Sequence, residues 1–79
     1  MRNAKQVLDD TFLEMRWRCL SLAADLDRVQ RATDGPNVLE RDERLAKLRK
    51  AIEVLNSGGT DRAERVQMIF SDMTPPPPR

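Results

Sequence analysis

Residues 4–32 read AKQVLDDTFLEMRWRCLSLAADLDRVQRA and contain neither glycine nor proline. Within this stretch, apolar side chains and one cysteine recur at alternating steps of four and three residues: Leu8, Phe12, Met15, Cys19, Leu22, Leu26 and Val29. Such steps place side chains on one face of a helix, as the a and d positions of a coiled coil do. The stretch therefore predicts one long amphipathic helix, on the order of 40–45 Å long at a rise of 1.5 Å per residue. We call these seven residues the heptad seam.

A second apolar line runs along the same predicted helix and consists of Leu13, Trp17, Leu20 and Ala24. At about 100° per residue it lies well over a quarter-turn from the heptad seam. We call it the Trp stripe. A helix with two apolar faces needs two neighbours. We expect the rest of the chain to cover the heptad seam and a partner chain to cover the Trp stripe, although the two assignments are interchangeable at this stage.

A turn signal follows the long helix. Residues 34–37 read Asp-Gly-Pro-Asn, in which the glycine suits a left-handed helix C-cap and the proline cannot continue the helix. A second helix is predicted over residues 38–55. Its start has two alternatives, because Asn37 with Glu40 fits a capping box, whereas a later start near Asp42 is equally compatible with the pattern.

A glycine pair ends the second helix, because residues 56–59 read Asn-Ser-Gly-Gly. A third, shorter helix is predicted over residues 62–72, with Thr60 or Asp61 as its N-cap. The chain closes on a proline-rich tail, residues 74–79, for which we expect an extended or disordered conformation.

These elements together predict an all-α, three-helix, bundle-like domain over residues 1–73. In it the long first helix, residues 4–32, packs in a helical hairpin against the second and third helices. The second and third helices together rise about as far as the first helix alone. They are therefore long enough to cover most of one of its faces.

Self-association is expected from the size and composition of the chain. A domain of 79 residues rarely obtains more than about 3–5 kcal/mol from a single core. The single cysteine excludes an internal disulfide, and the absence of histidine disfavours a metal site. Oligomerisation and regular helix packing are then the remaining sources of stability, which is a reason to expect a second copy of the chain. We expect a homodimer that uses Leu13, Trp17, Leu20 and Ala24 as its interface and acts in protein–protein interaction.

Charge gives little support to a nucleic-acid function, because 14 basic and 13 acidic residues leave a net charge of +1. Nucleic-acid binders generally carry a basic excess or a basic face. The second and third helices with their glycine turn faintly resemble a helix-turn-helix, in which Arg62, Arg65 and Gln67 would contact the nucleic acid. Asp61 and Glu64 would then face the phosphates, which is unfavourable. A small nucleic-acid-binding regulator is therefore the alternative function.

Enzymatic function is not indicated by any group of residues. No histidine is available as a base, and Cys19 falls within the heptad seam, which predicts a small buried side chain. We therefore expect neither a catalytic site nor a cofactor. No apolar run approaches the roughly 18 residues of a membrane span, and no signal peptide is apparent. The expectation is a cytoplasmic protein.

Overall fold

All regular elements of the protein are helices. The computed structural model describes residues 2–71, and no strand occurs among them. The helices are α1 (Ala4–Arg31), α2 (Gly35–Arg41), α3 (Glu43–Leu55) and α4 (Arg62–Phe70). The predicted all-α class is thus confirmed. The bundle-like packing of the first helix against the others stays a prediction, and residues 72–79, with the predicted tail, lie outside the described residues.

The chain divides into two units, one ending at Pro36 and the other beginning at Asn37. The first contains α1, which starts at a capping box. The side chain of Asn3 accepts a hydrogen bond from the backbone N–H of Gln6 at 2.9 Å, and the side chain of Gln6 accepts one from the backbone N–H of Asn3 at 3.0 Å. Two of the otherwise unpaired N–H groups at the helix start are thereby satisfied.

The prediction of one continuous helix over residues 38–55 is wrong, because a non-helical residue, Asp42, separates α2 from α3. Asp42 has an extended backbone (φ −69°, ψ 130°), and its carboxylate accepts a hydrogen bond from the backbone N–H of Arg44 at 2.9 Å. An aspartate that caps a new helix in this way cannot also continue the previous one. The later start near Asp42 is where α3 begins, whereas Asn37, the other predicted helix start, lies inside α2 and does not precede a helix.

The turn after α1 also differs from the prediction. Asp34 adopts the left-handed conformation (φ 65°), while Gly35 is the buried first residue of α2. The backbone N–H of Gly35 donates to the carbonyl oxygen of Ala32 at 2.9 Å. Aspartate tolerates the left-handed region better than most residues. Glycine is required here for a different reason, because a Cβ atom at residue 35 would overlap the backbone of Val29 and Gln30 in the last turn of α1.

The second unit contains α3 and α4, which pack against each other. Ala51 is the one buried apolar side chain among the described residues, with 4% of its surface exposed. The least exposed apolar side chains around it are half-buried: Leu45, Leu48 and Val54 on α3, and Val66 and Ile69 on α4. The core of this unit is therefore a narrow contact between two short helices.

The start of α4 is not capped as the sequence predicted. Asp61 is the N-cap residue, but its side chain makes no capping hydrogen bond. Its carboxylate instead forms an ion pair with Arg65, with Oδ1 and Nε 3.0 Å apart. This is one of the acid–base pairs four residues apart that surface helices commonly use.

The hydrogen bonds that Asp42 accepts from Arg44 change the pKa of its carboxyl group. Arg44 donates from Nε and Nη2, both at 2.9 Å, and from its backbone N–H. These bonds, the side-chain ones most strongly, lower the pKa of Asp42 from 3.8 to about 2. Because the folded pKa lies below the unfolded one, the ionised carboxylate stabilises the fold fully above the unfolded pKa. That contribution is lost as the pH falls through about 2.

We therefore expect an NMR titration of Asp42 to show a midpoint near pH 2. In an Arg44→Ala variant the midpoint should move up towards 3.8, but only part of the way, because the backbone N–H of residue 44 remains a donor. An Asp42 midpoint that is the same in both proteins would contradict the role given to the Arg44 side chain.

Candidate interaction surface

The Trp stripe lies on a part of α1 that is strongly exposed. The exposed fraction is 76% for Leu13, 68% for Trp17 and 52% for Leu20, whereas Ala24 is half-buried. All four residues belong to one uninterrupted helix, so their steps of four, three and four residues bring them to one side. The structure thus gathers the predicted interface residues into one continuous apolar strip.

An open hollow lies in the N-terminal half of this strip and is lined by Leu13, Glu14, Trp17 and Arg18. Glu14 and Arg18 form an ion pair along one side, with Oε2 and Nη2 3.0 Å apart. An apolar floor beside a polar rim is the arrangement found in protein–protein interfaces, where tryptophan is enriched among the residues that contribute most. The hollow can therefore accept an apolar side chain from a partner.

The heptad seam occupies the other side of α1. At about 100° per residue, its mean direction lies about 150° from that of the Trp stripe. The exposed fraction is 49% for Leu8, 52% for Phe12 and 50% for Met15, whereas Leu22, Leu26 and Val29 are half-buried. Cys19 is exposed, which corrects the prediction that it is buried. Both apolar faces of the helix thus expose large side chains.

Two of the three residues of the alternative nucleic-acid site donate hydrogen bonds to the turn between α3 and α4. Arg62 donates to the carbonyl oxygen of Ser57 from Nε at 2.9 Å and from Nη2 at 2.5 Å. Arg65 donates to the carbonyl oxygen of Gly58 at 2.8 Å and pairs with Asp61. Only the third predicted contact residue, Gln67, has no such bond among those observed, and it is exposed. The two arginines therefore bind the loop that joins α3 to α4.

This use of Arg62 and Arg65 was missed by sequence reasoning. Carbonyl oxygens in a loop between helices have no helical partner, and arginine side chains close in sequence can donate to them. The signal was present, because two arginines follow the glycine pair within one turn of the next helix. The capping box of Asn3 and Gln6 was missed in the same way, although its spacing of three residues is the expected one.

The described residues offer no group of histidine, cysteine and acidic side chains that could hold a metal ion. Within the same part of the chain, no helix combines the length and the apolar character that crossing a membrane requires.

Comparisons with protein-family models, with curated proteins and with solved structures find no match for the chain.

Proposed function

We propose that the protein is a small, non-enzymatic interaction module that self-associates through the Trp stripe of α1. The observation that supports this most directly is the exposure of Leu13 and Trp17, 76% and 68% respectively, on adjacent turns of one helix. Burying a large apolar side chain contributes about 1.5–3 kcal/mol. Leaving two of them in water on a chain of this size forgoes a large part of the stability it can reach.

A second copy of the chain is the partner because it supplies the same short strip. The Trp stripe spans Leu13 to Ala24 and is bounded by Asp10 and Asp27 on the same side of the helix. In an antiparallel contact Trp17 lies over Leu20 of the second copy, and Leu13 lies over Ala24, so that each large side chain meets a smaller one. The same register brings Asp10 towards Asp27 of the second copy beyond the ends of the strip, so the contact depends on burial of the apolar side chains and not on charge.

The test is a Trp17→Asp variant studied by analytical ultracentrifugation at tens of micromolar. We expect the wild-type protein to sediment as more than one chain, and the variant to lose an association step while it keeps its helix content. A buried carboxylate opposite an apolar surface removes the contact, because it has no hydrogen-bonding partner there.

Thr11→Asp is the control for the added charge, since it places the same charge at an exposed position away from the Trp stripe, next to the heptad seam. It should leave association through the Trp stripe unchanged. A wild-type protein that is monomeric at this concentration would rule out the proposal. If Trp17→Asp unfolds the protein, then Trp17 belongs to a core within the chain, and the proposed role of the stripe is wrong.

A further inference from the structure

The heptad seam of α1 is a second apolar surface, separate from the Trp stripe. It repeats without interruption over seven positions, and the side chains of its first half are about half exposed. We propose that this seam pairs with the same seam of a second copy in antiparallel orientation, with Arg18 of each chain beside Asp25 of the other. This surface lies on the opposite side of α1 from the Trp stripe, so the proposal stands independently of the proposed function.

Side-chain size favours the antiparallel register. With Cys19 opposite Leu22 of the second copy, Met15 meets Leu26 and Phe12 meets Val29. The Phe12–Val29 and Cys19–Leu22 layers each combine a larger side chain with a smaller one, and the Met15–Leu26 layer pairs side chains of similar volume. A parallel pairing would instead place two phenylalanines in one layer, two methionines in another and two cysteines in a third. Alternation of large and small side chains across facing positions fills the contact more evenly.

Charge complementarity selects the same register. Residues just outside an apolar seam meet across the interface and set the orientation of the helices. Within each chain Arg18 pairs with Glu14 at 3.0 Å, and Asp25 pairs with Arg28 at 2.5 Å. Contact between Arg18 and Asp25 of the second copy joins these pairs into a row of four charges that alternate in sign. Twofold symmetry produces this row twice.

The neighbouring registers lack this complementarity. A shift of one heptad in one direction brings Arg18 against Arg18 and Arg16 against Arg16, and the opposite shift brings Asp25 against Asp25. The parallel pairing places Arg18 beside Ala23 and Asp25 beside Gln30 of the second copy, so no opposite charges meet. Like charges at such positions disfavour a pairing, and opposite charges favour it. One register therefore stands out among the four.

The chain's own α3–α4 hairpin is the other candidate to cover the seam, and a set of variants separates the two. We expect Trp17→Asp, which removes only the stripe contact, to remain a dimer in analytical ultracentrifugation. Adding Met15→Asp should then yield a monomer, with the mass reduced by half. Adding Leu20→Asp instead is the matched control, because it acts on the side already disrupted, and the dimer should persist.

These outcomes also distinguish a failure of this proposal from a failure of the proposed function. If Trp17→Asp is monomeric, the seam does not join two chains, and the present proposal is overturned. A mass that is the same in Trp17→Asp and wild type rejects the role of the stripe. In that case the effect of Met15→Asp alone still decides the role of the seam.

The orientation of the two helices is tested by the distance between two spin labels. A spin label is attached at Ala4→Cys in a protein that also carries Cys19→Ala and Trp17→Asp. In the proposed register the two labels are 33 residues apart along the axis, which corresponds to about 50 Å at 1.5 Å per residue. Parallel helices lie about 8–10 Å apart, so a short distance between the labels would overturn the antiparallel arrangement.

Discussion

Replacing Ala51 with glutamate is expected to separate α4 from α3. Ala51 is the most deeply buried apolar residue described and lies where the two helices pack. A carboxylate placed there without a partner costs several kcal/mol if it stays ionised and buried. The contact between two short helices cannot compensate for a cost of that size. The hairpin therefore opens, so that the carboxylate reaches water.

Once it is separated, α4 should lose its helical structure. It has only nine residues, and isolated helices shorter than about 12–15 residues are marginal in water. The expected result is a loss of helical signal in far-UV circular dichroism and a loss of amide exchange protection from Arg62 to Phe70. The helical signal of α1 should remain.

Ala46→Glu is the matched control for this variant. Ala46 lies on the same helix, is exposed, and undergoes the same change of side chain and charge. Alanine and glutamate are both good helix formers, and exposed substitutions of this kind change stability by about 0.5 kcal/mol or less. If the two variants behave alike, the buried contact at Ala51 does not hold the hairpin together.

The helices themselves could be predicted from the sequence, because the signals for them are local. Periodicity and the absence of glycine and proline place the first helix at residues 4–32, and the structure has α1 at Ala4–Arg31. The glycine pair after Leu55 predicts the end of the second predicted helix, and α3 ends there. Such signals depend on steric limits of the backbone, which act within a few residues.

The interruption of the helix at Asp42 could not be predicted from local signals of this kind. Asn37 and Asp42 are both suitable helix-capping residues, and a cap contributes only about 1 kcal/mol. The choice depends on side-chain contacts that periodicity does not contain. The guanidinium group of Arg44 binds the Asp42 carboxylate through two nitrogens, and the guanidinium of Arg49 donates to the carbonyl oxygen of Leu39. These bonds support a new helix at Glu43.

The residues of the candidate surface could be predicted from the sequence. Which apolar face of α1 meets a partner chain could not. The steps from Leu13 to Ala24 predict one face, and the structure gathers that face on α1. Both faces of the helix are apolar, although the heptad seam is the longer, so hydrophobic periodicity alone does not show which of the two meets a partner chain. The information that separates them lies in the charges beside each face, such as Arg18 and Asp25.

Replacing Gly35 with alanine is expected to unwind α2. A methyl group at this position would overlap the carbonyl oxygens of Val29 and Gln30 and would lie 2.7 Å from the carbonyl carbon of Gln30. These are backbone atoms of α1 and cannot move aside as a flexible side chain could. Overpacking of this kind costs about 3 kcal/mol. Unwinding a helix of seven residues costs less, because so short a helix has little stability of its own.

The chemical shifts of the backbone carbons from Gly35 to Arg41 measure this change directly. In the alanine variant they should move to unfolded values, while those of α1 before Val29 stay helical. Gly58→Ala is the matched control, because a methyl group there meets nothing within 4 Å and Gly58 has no positive φ. That variant should be neutral or more stable by about 0.4–1 kcal/mol, since alanine restricts the unfolded chain. If residues 35–41 keep helical chemical shifts in Gly35→Ala, then close packing of residue 35 against the backbone of α1 does not determine where α2 begins.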